Sequence, residues 1–233
     1  MPMINKYSFF QFHYSIKPKK MRKLLALVIA LTSLLSCNKE DDKAIKTSYL
    51  PLKIGNYWIY QEFMIDTSGN ETANSIIDSV IINRDTIINS KKYYVLEGNS
   101  PYPNRYQRGI IENLRDSSGY IVNQNGTVLF AENDFTDTIA YRTVISTYDI
   151  YDTLLVNTYK MERVNDPITV PAGTFEVLNY KGTVVTSMNT PGVKYPRYLN
   201  CYYAEGVGKI LYTYFYVLSP NIYEKRLLRY YIK

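Results

Sequence analysis

Histidine is almost absent from this 233-residue chain. The one copy, His13, lies ahead of a basic and apolar stretch, so residues 38–233 contain no imidazole. That excludes Ser-His-Asp and Cys-His nucleophile pairs and histidine-ligated zinc from the chemistry of this part. Cysteine occurs only at Cys37 and Cys201. Helical patterning is missing as well: no window of helical length beyond residue 48 carries an i, i+3, i+4, i+7 apolar stripe. Gly206 and Gly208 precede no helix and no Lys-Ser/Thr pair, so they read as backbone turns rather than a phosphate loop. The acidic clusters Glu132, Asp134, Asp137 and Asp149, Asp152 lack the Asp/Asn alternation around a central Gly that a calcium loop uses. No metal and no cofactor is expected.

What is present begins with an address. Met21-Arg22-Lys23 supplies two positive charges, and Leu24 to Leu35 follows without a charged residue. The run is too short to span a bilayer and has the length of a secretory leader. Leu34-Leu35-Ser36-Cys37 resembles the lipobox of bacterial lipoproteins. The resemblance implies cleavage before Cys37, acylation of its thiol with palmitate-type chains, and a membrane anchor there. Asn38-Lys39-Glu40-Asp41-Asp42 looks like the export signal of Bacteroidota lipoproteins, which implies the outer membrane and display on the cell surface; a periplasm-facing anchor is the alternative. Residues 1–20 are either an unusually long basic extension or lie ahead of a true start at Met21.

Cleavage at Cys37 changes the electrostatics. Residues 1–37 hold six basic residues (Lys6, Lys17, Lys19, Lys20, Arg22, Lys23) and no acid, leaving 21 of the 27 Lys and Arg against 21 Asp and Glu. A formally neutral chain lacks the basic footprint of a nucleic-acid binder, so no nucleic-acid partner is expected. With Cys37 acylated, Cys201 is the only thiol left and no intrachain disulfide can form. In the strand-like run Leu199-Asn200-Cys201-Tyr202-Tyr203 it reads as a small core hydrophobe.

Residues 38–48 carry six charges and no aromatic, the composition of a flexible tether. From 49 to 233 the texture is uniform and β-rich. Runs at 54–65, 75–83, 86–89, 93–96, 106–114, 120–122, 127–130, 139–146, 151–164, 175–188, 197–204, 209–218 and 222–232 read as strands. Asp66 to Asn70, Asp116 to Gly119 and Asn123 to Gly126 separate them, Asn125-Gly126 being the strongest hairpin signal. Short connections favour antiparallel neighbours. The expected fold is all-β: one antiparallel, strongly curved sheet, as a half-barrel or sandwich, with at most one or two short helices.

Three motifs carry a further resemblance. Leu50-Pro51-Leu52-Lys53-Ile54-Gly55-Asn56-Tyr57-Trp58-Ile59-Tyr60 resembles the PLxxGNxWxY opening of uncharacterised secreted lipoproteins. Val170-Pro171-Ala172-Gly173-Thr174-Phe175 and Tyr202-Tyr203-Ala204-Glu205-Gly206-Val207-Gly208 resemble their VPAGTF and YYAxGVG segments, in the same order. Such chains are similar to LolA-like and LppX-like half-barrels, which implies a curved sheet sheltering an apolar ligand against a helix. No helix of that length is evident here, and the resemblance brings no catalytic residues.

Aromatic content is the last feature. Of 25 tyrosines, 23 follow Cys37, Tyr7 and Tyr14 being the exceptions. Tyr212, Tyr214 and Tyr216 alternate with Leu211, Thr213, Phe215 and Val217, so they share one strand face. They form either a binding face for a glycan or protein, or a covered cross-strand stabiliser. Trp58, on a face with Tyr60 and Met64, reads as core. The acidic clusters read as solvated turns, because their spacing does not place two carboxyls across a cleft. The composite expectation is a membrane-anchored surface binding module and not an enzyme. A carrier of an apolar or lipid ligand is the alternative, and a carboxylate-based hydrolase the second.

Overall fold

The computed structural model describes residues 48–99, 108–145, 153–186 and 191–233. Cys37, the leader, residues 38–47 of the tether, and Asp149 and Asp152 lie outside them. The described residues form strands and turns and contain no helix. The first six strands are β1 (Tyr57–Ile65), β2 (Glu71–Ile88), β3 (Lys91–Asn99), β4 (Arg108–Ser117), β5 (Tyr120–Asn123) and β6 (Val128–Ala131). Next come β7 (Ala140–Ile145), β8 (Thr153–Arg163), the short pair β9 (Ile168–Val170) and β10 (Gly173–Phe175), and β11 (Val177–Thr186). The chain closes with β12 (Arg197–Leu199), β13 (Cys201–Ala204), β14 (Gly208–Tyr214) and β15 (Ile222–Tyr231).

Thirteen strands make one antiparallel sheet in the order β6-β5-β4-β3-β2-β1-β15-β14-β13-β11-β8-β7, with β12 beside β11. The strand class expected from the sequence is therefore observed, as a single curled sheet rather than two stacked ones. Its curl brings the β6 end back towards β11 and β13. Tyr180 on β11 donates its hydroxyl to the Val128 carbonyl of β6 at 2.9 Å. The Phe130 and Tyr203 rings meet at 4.7 Å. The sheet is thus nearly closed, like a barrel, around a core of Trp58, Tyr60, Ile82, Leu114, Phe130, Met161, Tyr203, Ile210 and Leu227. Alternation explains which residues point inward, since each strand contributes every second side chain.

Turn chemistry sets the register. Asn89 and Ser90 both take positive φ (49° and 60°), and Ile88 pairs with Lys91, giving a two-residue turn of the twist-matching kind. Ser118-Gly119 repeats it between Ser117 and Tyr120. Pro171-Ala172 joins Val170 to Gly173 in a further two-residue turn, with the fixed φ of proline at its first position. The Asn125-Gly126 hairpin is real but longer than two residues. Gly126 donates to the Asn123 carbonyl and turns with φ 79°, while the Asn123 side chain accepts from the amides of Asn125 and Thr127. The two runs expected at 75–83 and 86–89 are one strand, β2. Ile82 pairs with Leu96 and Arg84 with Val95, so Asn83 is a bulge, not a break.

Candidate functional site

The three sequence motifs form a structural joint. Asn56 is fully buried, donates its side-chain amide to the Pro51 carbonyl at 2.7 Å, and accepts from the Lys233 amide at 2.9 Å. Trp58 donates its indole N–H to the Val207 carbonyl at 2.7 Å, and Tyr60 its hydroxyl to the Lys209 carbonyl at 2.8 Å. Gly208 has φ 103°, and a side chain there would meet the Trp58 Nε1 at 3.2 Å. The GNxWxY residues therefore clamp the GVG segment, and glycine is required by both conformation and approach. Ala172, in the VPAGTF hairpin, donates to the Leu227 carbonyl beside the β15 bulge at Leu228. Buried polar groups satisfied this way specify a fold rather than a reaction.

A cleft of about 310 Å³ opens inside the curl, between Glu112 and Leu129 on one limb and strands β7 to β14 on the other. Tyrosines form much of its wall. Tyr159 and Tyr180 stack at 4.9 Å and 10°, with Tyr203 and Tyr212 alongside. Two cations face these rings: Lys209 Nζ lies 5.0 Å from the Tyr212 centroid and 5.7 Å from Tyr203, and the Arg142 guanidinium 6.0 Å from Tyr159. Among the described residues neither cation has a carboxylate within ion-pair distance. Glu112, the acid in the lining, accepts from the Asn123 side-chain amide at 2.8 Å. Cys201 is half-buried in the cleft wall. Burial pushes its thiol up, and the neighbouring Lys209 only partly opposes this, so it is no activated nucleophile. A mostly apolar cavity of about 120 Å³ under Leu50, Trp58, Leu96 and Leu114 shares Glu112, Leu129, Tyr203, Lys209 and Tyr212 with the cleft.

The tyrosine row at the end of β14 does share one face, but its three members meet different surroundings. Tyr212 is half-buried, lines the cleft, and packs edge-on against Tyr60 at 5.7 Å; burial pushes its hydroxyl above the usual phenol range. Tyr214 stacks on Tyr223 at 5.1 Å, and Tyr216, 41% exposed, stands edge-on to both. Beneath them lies a buried charge cluster. Glu62 (2% exposed) receives the Tyr214 hydroxyl at 2.6 Å, Asn74 at 2.8 Å and the Lys225 ammonium at 3.0 Å, and Lys225 also holds Asp78. Burial raises the Glu62 carboxyl, but the bonds from Tyr214, Lys225 and Asn74 outweigh it and hold it below the usual carboxylate range. An acid held ionised and occupied on both oxygens is poorly suited to general-acid work.

The expected solvated cluster is a turn: Asp134 accepts from the Asp137 amide at 3.2 Å and Thr136 from its own side donates to Asp137. No group of three or more Cys, His, Asp or Glu among the described residues is arranged to hold a metal.

No protein-family model matches the sequence, and no curated protein matches it. Two solved structures are similar to the chain. One is a candidate lipoprotein of Parabacteroides distasonis, with TM-score 0.44 and 14% identity, covering 79% of this chain and 99% of that one. The other is a candidate exported protein with a YmcC-like fold from Bacteroides fragilis, with TM-score 0.44 and 13% identity, covering 80% and 100%.

Sequence reasoning singled out Tyr212 but missed Glu112, Arg142, Tyr159, Tyr180 and Lys209. These sit on β4, β7, β8, β11 and β14, and only the curl of the sheet brings them together. Lys209 had no usable signal: strict alternation sets it opposite Tyr212, and the bulge at Ile210, between the Lys209–Tyr203 and Leu211–Tyr202 pairs, is what turns it to the Tyr212 face.

Proposed function

We propose that the protein is a membrane-anchored binding module. Acyl chains on Cys37 hold it at the outer membrane, and the tyrosine-walled cleft takes its ligand. One observation carries this: two cations without carboxylate partners face three of the four tyrosine rings that wall an open recess. Ligand sites combine apolar walls with a few convergent polar groups in this way. Tyrosine suits such walls because its ring is apolar and its hydroxyl polar. The reading has no catalytic step, since the buried Glu62 and the half-buried Asp78 are joined by Lys225 rather than held apart across a cleft.

The test has two parts. Metabolic labelling with a palmitate analogue should mark the wild type and not Cys37→Ser. The full-length protein should retain a ligand from glycan and lipid arrays, and Leu129→Trp, which fills the cleft, should weaken that binding by about tenfold or more. Array binding untouched by Leu129→Trp, in a variant that melts like the wild type, would refute the cleft as the site.

A further inference from the structure

Resting on the cleft being a ligand site, we infer that its ligand is an acidic saccharide: a sugar ring laid on the tyrosine wall, with its carboxylate between Lys209 and Arg142. The position of the charges points this way first. Lys209 and Arg142 are the two cations that line the cleft, and neither is paired to a carboxylate among the described residues; they hold ring faces, apart from the contact of Lys209 with the Cys201 thiol. Lys209 is half-buried and gains from an anion there, while the exposed Arg142 guanidinium at the rim can grip a carboxylate with two parallel bonds.

A hydroxyl group has a receiver in the same place. Glu112 lines the cleft, spends one oxygen on Asn123 and keeps the other for a donor. A ring with an apolar face, a hydroxyl rim and one carboxylate matches tyrosine planes, a carboxylate acceptor and two cations.

An acyl chain fits worse. Along the cleft it would strand the second Glu112 oxygen and the Lys209 ammonium against hydrocarbon. The adjoining apolar cavity holds about 120 Å³, well below the roughly 300–1,000 Å³ of drug-sized ligand sites. The cleft itself, about 310 Å³, suits a short saccharide.

Calorimetric titration of the full-length protein tests the class with three probes: uronate trisaccharides (galacturonate, mannuronate, guluronate), neutral maltotriose and dodecanoate. At least one uronate should bind, and maltotriose should bind about tenfold more weakly or worse. Lys209→Met and Arg142→Met should each cost about tenfold in uronate affinity and lessen its dependence on salt. Both sit at the cleft surface, so their melting temperatures check folding directly. Equal binding of maltotriose, unchanged affinity in both variants, or no uronate binding at millimolar concentration overturns the inference. Dodecanoate binding that Leu129→Trp abolishes would overturn the saccharide and leave the cleft standing. Uronate binding indifferent to Leu129→Trp would overturn both.

Discussion

Replacing Lys225 by methionine isolates the charge cluster under the tyrosine row. The ammonium is the counter-charge of two carboxylates, and Glu62 is 2% exposed while Lys225 is 8% exposed. Methionine keeps the packing of the stem but leaves Glu62 and Asp78 facing each other without a cation. Removing one partner of a buried pair costs about 3–5 kcal/mol. Asp78 is less buried than Glu62, so the middle of that range, about 4 kcal/mol, is expected. In urea the midpoint should fall by about 2 M, and for a domain of this size the melting temperature by roughly 8–16 °C. The pH dependence gives a second readout. In the wild type the Glu62 carboxyl is depressed on folding, so its contribution is present above the unfolded value of about 4.3 and fades as pH falls through the lower folded value. In Lys225→Met burial is less opposed and the carboxyl shifts upward, so native Glu62 takes up a proton on acidification. The penalty should therefore be largest at pH 7 and shrink towards pH 4.5, and adding Glu62→Gln should recover part of it. A penalty under about 1 kcal/mol at pH 7, or one equal at both pH values, would refute a buried ion cluster of this kind.

Tyr214→Phe should cost about 1.5–3 kcal/mol in urea unfolding, since its hydroxyl bonds an ionised Glu62, whereas Tyr216→Ser should cost under about 1 kcal/mol; equal costs would contradict their different surroundings. Gly208→Ala should lower stability by about 1–3 kcal/mol, because φ 103° strains an L-residue and its methyl meets the indole. Trp58 is the only tryptophan, so a shift in its emission should accompany the loss, and unchanged emission and melting would count against the joint.

The fold class was legible because alternation and turn residues are local signals. Asn125-Gly126 announced a hairpin. Boundaries failed where side-chain chemistry imitates a turn. Asn83-Arg84-Asp85 resembles a break, yet β2 continues through it with one residue bulged, since the β3 ladder resumes at Arg84. The run at 197–204 reads as one strand but divides at Asn200, whose amide bonds the Thr213 hydroxyl and whose side chain receives Asn179. Asn89-Ser90 lacks the glycine that usually marks its turn. The site was far less legible. Period-two alternation places Tyr212, Tyr214 and Tyr216 on one face, but whether a ring is covered depends on how far the sheet curls over it. β14 ends at Tyr214, which leaves Tyr216 beyond the sheet. The cleft cations have no common spacing in sequence, because Arg142 and Lys209 come from strands on opposite sides of β8, β11 and β13 in the sheet order.

The position of β1 in the sheet bears on how the chain acquires its fold. The first strand lies between β2 and β15, pairing Tyr57 with Tyr231 and Ile65 with Ile222. The middle of the sheet is thus built from the two extremes of the domain sequence. A ladder spanning that much chain closes late, because the entropy of bringing its ends together comes before any contact rewards it. Until β15 arrives, Trp58 and Tyr60 have no stable second wall, and Asn56 lacks the Lys233 amide that follows that strand. A chain ending short of residue 222 lacks the strand that joins the two limbs, so the curl closes around its core only once β15 has been made.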